Sequence, residues 1–125
     1  MAGRLIAAVG LMLACGVALP ASAGPHEPTR ACYHDIGCPW DVEVRQETFR
    51  SMSCERLAHI RNRLLHEKGY CFHVREPREE FGNAGCKYQY LPKVPLNRVE
   101  RANVDKIRRA ERDKGCHTGI IERRG

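Results

Sequence analysis

The sequence predicts a mainly α fold: a small disulfide-stapled helical domain with two main helices and a stapled loop connecting them. Three observations predict it. Leu57, Ile60, Leu64 and Leu65 recur at i, i+3, i+7 and i+8, the spacing of one apolar helix stripe. Asn97 with Glu100 three residues later, and Gly115 further on, bracket a second helix with its own start and stop signals. Six cysteines, Cys32, Cys38, Cys54, Cys71, Cys86 and Cys116, lie beyond the first two dozen residues. An even count behind an export signal reads as a disulfide framework.

The export signal comes first along the chain. Arg4 precedes the apolar run LIAAVGLMLACGVAL, and Ala21, Ser22 and Ala23 supply small residues before Gly24. This is the layout of a secretory signal peptide over 1–23 with an A-x-A cleavage site. The run falls short of a membrane span, which takes ~20 predominantly apolar residues, and no span is expected in the mature chain. A lipoprotein signal with Cys15 as the lipidated residue is the alternative, although Met12 and Leu13 fit that box poorly.

Residues 24–50 read as an irregular N-terminal segment: GPHEPTR is broken by proline, and CYHDIGCPWDVEV places turn residues between two close cysteines. A domain over 51–116 follows. Its first helix is expected from Ser51 to Lys68, capped by Ser53 and stopped by Gly69. A short helix should start at Pro77, a good first-turn residue, and end before Gly82. KYQYLPKVP reads as extended, because Pro92 and Pro95 prevent a helix there. The last helix should run from Arg98 to Lys114, with Val99, Asn103, Ile107 and Ala110 on its inward face. Residues 117–125 form a basic tail.

The cysteine pattern excludes more than it assigns. No C-x-x-C occurs, which argues against a thioredoxin-type redox pair and against cysteine-bound zinc. Cys71 and Cys86, fifteen positions apart, read as a staple closing a charged loop. Cys32 and Cys38 are close enough for a small ring. Cys54 opens the first long helix and Cys116 follows the last, so a bond between them would lock the two together. The expected pairing is Cys32–Cys38, Cys54–Cys116 and Cys71–Cys86, one of fifteen connectivities open to six cysteines.

Other side chains offer little chemistry. His59 and His66 share what should be the solvent face of the first helix, ~10 Å apart along its axis. That is too far to share a metal without further ligands, and no H-E-x-x-H is present. With Arg63 they could form a phosphodiester-cleaving acid–base set, so a small hydrolase acting on nucleic acid or cell wall is the enzymatic alternative. Glu79 and Glu80 are adjacent and read as a solvated helix face. FGNAG lacks the lysine of a phosphate loop. Tyr88 and Tyr90 would share a face if extended, as core residues or as a sugar-stacking pair. No cofactor or metal is expected.

Charge points to a partner. Residues 24–50 carry three basic and five acidic groups, whereas 51–125 carry seventeen and ten. Arg98, Arg101, Arg108, Arg109 and Arg112 gather on one side of the last helix, interrupted by Asp105. Guanidinium groups suit carboxylates and phosphates. The face reads either as an anion-binding surface or as a solvated face balanced by Glu100, Asp105 and Glu111.

IRNRLLHEKGYCF, FGNAGC, PLN and ERANVDKI with the following Glu111 and KGC, in this order and spacing, resemble the YARHG domain. That is a small bacterial domain of extracellular type whose molecular function is not established. The likeness covers Ser53 to Cys116. The five residues after which the family is named fall on Leu65 to Gly69, of which Gly69 alone matches. The resemblance implies export and a compact fold, and it carries over no catalytic or binding residue. The expectation is a periplasmic or secreted, non-enzymatic module that binds an anionic envelope polymer or an exported protein with an acidic surface; nucleic acid is not the expected partner.

Overall fold

The two long helices of this chain start at side chains that reach back to the backbone. The computed structural model describes residues 30–117 and, before them, Gly3, Gly10 and Gly16. The expected signal segment with Cys15, residues 24–29 and the tail from 118 onward lie outside the described residues. From Ala31 the chain forms one compact unit.

Helix α1 (Gln46–Arg50) is followed by α2 (Cys54–Glu67), α3 (Arg75–Phe81), a 3-10 turn at Leu91–Lys93 and α4 (Arg98–Lys114). Ser53 caps α2 by accepting from the Arg56 N–H. Asn97 and Glu100 exchange side-chain bonds with each other's backbone N–H at the start of α4. Such caps satisfy donors that the first turn leaves free. Gly69 and Gly115 end α2 and α4 with φ of 85° and 70°, conformations open to glycine at little cost. Among the described residues β pairing is confined to isolated bridges, Tyr33 with Gly37 and Tyr70 with Tyr88.

Two apolar clusters hold the fold. In the first, Leu57, Ile60 and Leu64 of α2 meet Val104, Ile107 and Ala110 of α4, with Trp40, Val44, Phe49 and Met52 closing the side. Each fully buried Leu, Ile or Phe adds about 1.5–3 kcal/mol of transfer free energy. The second gathers Leu65, Tyr70, Phe72 and Val94, fringed by Phe81, Tyr88, Leu91 and Leu96. Disulfides Cys32–Cys38, Cys54–Cys116 and Cys71–Cys86 join Cα atoms 4.5, 5.6 and 5.1 Å apart.

Several local expectations differ from the structure. The N-terminal segment contains α1, whose Phe49 is wholly buried against the core. Helix α3 starts two residues before Pro77; proline sits in its first turn, where no intrahelical N–H bond is lost. Pro92 stands inside the 3-10 turn rather than in an extended run. Tyr88 is half-buried against the second cluster, whereas Tyr90 is 49% exposed, so the two do not form one platform.

Candidate functional site

Asn103 was expected on an apolar face, and it is buried there as a polar clamp. Its Oδ1 accepts from the Val44 N–H at 2.9 Å, and its Nδ2 donates to the carbonyls of Pro39 and Val42, both at 2.8 Å. Beside it, Asn97 Nδ2 donates to the Trp40 carbonyl, and Lys106 Nζ donates to Glu43 Oε1 and the Val44 carbonyl. Residues 39–46 are thereby sewn to one flank of α4. That bonding fixes which side of the helix faces outward.

The acids of α4 separate by the same logic. Glu100 is 1% exposed; besides its capping role it lies 3.4 Å from Lys68 Nζ. Glu111, also 1% exposed, forms an ion pair with the buried Arg61 of α2. Burial pushes the Glu111 carboxyl above its ordinary range, and the adjoining Arg61 guanidinium pulls it back down. Neither acid lies on the arginine face. The balanced-face reading counted both, and it is corrected here: Asp105 alone of the three is exposed with the arginines.

On that face Arg98, Arg101, Arg109 and Arg112 are exposed. They make no hydrogen bond or ion pair within 4 Å among the described residues. Arg108 is half-buried at the edge. Burial, then Arg112, lowers the pKa of Arg108, and Asp105 opposes the shift. It remains charged at any working pH.

The histidines occupy a different setting from the solvent face expected for them. Helix α3 lies over that side of α2. His59 Nδ1 meets Glu80 Oε1, and the His59 ring stands edge-on to Tyr33 and tilted against Phe81. His66 packs on Phe72 and Phe81. Arg63 turns away, its guanidinium over the rings of Tyr33 and Trp40 at 5.1 and 5.2 Å. Glu79 pairs with Arg75 on the exposed side of α3. Among the described residues no three His, Cys, Asp or Glu side chains are placed to hold one metal ion.

Sequence reasoning missed a signal that sorts these residues. RVER at 98–101 recurs as RAER at 109–112. In each copy the glutamate is buried while both arginines face water; Ala110 is buried too, whereas Val99, expected on the inward face, is half-buried and Val104 takes its place in the core. The eleven-residue offset is about three helical turns, so the second copy falls on the side of the first.

No curated protein and no solved structure matches the chain. No helix among the described residues is long and apolar enough to cross a membrane. The family model of the YARHG domain matches residues 41–112, taking in the Asp41–Val44 strap, all four helices up to Arg112, the second apolar cluster and all of the first but Trp40 and the partly buried residues before it. By that match the chain belongs to the YARHG domain family.

Proposed function

We propose that this chain is an exported, non-enzymatic module of the periplasm or cell surface that binds an anionic envelope component through the outer face of α4. One observation carries the reading. Glu100 and Glu111, the acids that would neutralise the helix, are buried and engaged by Lys68 and Arg61, so of the acids along the outer face Asp105 alone stands among the four exposed arginines, with Glu43 beside Arg98 and Asp113 beside Arg109 at its margins. An exposed cationic face raises the local potential and draws anions. Three disulfides fit an oxidising compartment.

The test is binding of the oxidised protein to envelope fractions at low and high salt. Wild type should bind and lose affinity as salt rises, because exposed charge is screened over ~10 Å at 0.1 M. Replacing Arg98, Arg101, Arg109 and Arg112 by Gln should abolish that binding with an unchanged circular dichroism spectrum. Equal, salt-insensitive binding by both proteins would sink the reading. A hydrolase is favoured by one detail, the His59 imidazole oriented by Glu80. The His59→Ala, His66→Ala double variant separates the two, since a binding module keeps its affinity without them.

A further inference from the structure

The repeated RVER and RAER segments divide the arginine face into two stations. Arg98 and Arg101 form one, and Arg109 and Arg112 the other. Eleven residues at ~1.5 Å rise set them about 16 Å apart along α4, and three turns leave only about 20° of drift between them. Asp105 lies between the stations, one turn from Arg101 and one turn from Arg109. It is exposed and pairs with neither within 4 Å among the described residues; the half-buried Arg108, one turn on at the edge of the face, is the cation its charge acts on. A ligand lying along the helix therefore meets cation, anion, cation.

That order carries information about the ligand. A duplex nucleic acid presents one charge per ~1.7 Å of axis, and polyphosphate is also charged at every unit. Either would hold anions over the Asp105 carboxylate while reaching both stations. A chain with acidic groups several sugars apart can place one on each station and leave neutral, hydroxyl-bearing surface over Asp105. There the carboxylate accepts hydrogen bonds from hydroxyls instead of repelling charge. Arginine at both stations suits carboxylate by bidentate contact.

Resting on the anion-binding reading above, we infer that the outer face of α4 is a two-station site for a sparsely charged acidic polysaccharide, with Asp105 selecting against densely charged chains. Two stations on one rigid helix act as linked contacts. Loss of either should cost far more than half of the binding, because the second contact forms at high effective concentration.

Polygalacturonate of graded methyl esterification is the probe, since the backbone stays constant while carboxylate spacing changes. Binding of the full exported protein is measured to a sparsely and a fully charged member at one salt concentration. Asp105→Asn should raise affinity for the fully charged polymer roughly fivefold, the effect of removing one like-charge contact at ~4 Å screened as in bulk water, and leave the sparse polymer within twofold. Arg98→Gln with Arg101→Gln, and Arg109→Gln with Arg112→Gln, should each weaken the sparse polymer to a similar extent, by about a hundredfold. Equal gains by Asp105→Asn on both polymers, or loss confined to one arginine pair, would overturn the two-station inference while arginine-dependent binding stood. Polygalacturonate binding indifferent to both arginine pairs would overturn the inference and the reading beneath it together.

Discussion

Asn103 shows what one side chain does when it is buried with its bonds complete. It makes three hydrogen bonds to the backbone of residues 39–44, and two of those groups, the Val44 N–H and the Pro39 carbonyl, would otherwise be buried without partners. Asn103→Ala should cost about 1–3 kcal/mol for each group left unpaired, read as a lower midpoint in urea unfolding. The Arg61–Glu111 pair behaves differently. Glu111→Ala strands a buried guanidinium and should cost about 3–5 kcal/mol, whereas Arg61→Met combined with Glu111→Leu should come close to wild-type stability. Thermal melts of the single and double variants would check this non-additivity. Glu43, at the surface, is governed by Lys106, whose hydrogen bond and charge hold its carboxyl below the ordinary 4.5. A lowered pKa means that the contact stabilises above the unfolded value and is lost as pH falls through the folded one. In an NMR titration the Glu43 midpoint should lie below 4.5 and move up towards it in Lys106→Ala.

Elements are tied more tightly than their packing alone requires. Cys54 opens α2 and Cys116 follows α4, closing a loop with a sequence separation of 62. In the chain-entropy model a bond of that span removes about 4 kcal/mol of unfolded-state freedom, against about 3 kcal/mol for Cys71–Cys86. The Cys54→Ala, Cys116→Ala variant should therefore lose more stability than the Cys71→Ala, Cys86→Ala variant, as measured by denaturant unfolding of both. The long helices were legible because their ends are chemically marked: Ser53 and Gly69 for α2, Asn97, Glu100 and Gly115 for α4. Helix α1 was not, since Arg45 makes no side-chain cap and five residues hold too little periodicity. The histidine side of α2 was misread for a related reason. An amphipathic wheel distinguishes apolar from polar, but it says nothing of a second helix laid over the polar side, which is where Phe81 and Glu80 sit. The same wheel placed Glu100 and Glu111 among solvent charges. Their burial depends on Lys68 and Arg61, contacts between helices that no single-helix pattern contains.

At the scale of the molecule, the fold lays an acidic segment along one flank of a basic helix, where Glu43 meets Lys106 and acts on Arg98. The strap and the start of α1 carry the exposed acids Asp41, Glu43 and Glu47, and the outer face of α4 carries the arginines. The oxidised protein, if exported and processed at Ala23, should begin at Gly24 and weigh six hydrogens less than its reduced form. Intact mass before and after reduction checks both points, and a lipid-modified Cys15 would contradict the first.

The Cys54–Cys116 bond also has a mechanical meaning. Tension applied between the segment before Cys54 and the segment after Cys116 can peel away the strap and α1, but at Cys54 it passes directly through sulfur to Cys116. The enclosed chain, about 200 Å when drawn out at ~3.4 Å per residue, carries none of it. Helices α2, α3 and α4 lie inside that bypass, so the load that strips the strap and α1 from their core is not itself transmitted into them.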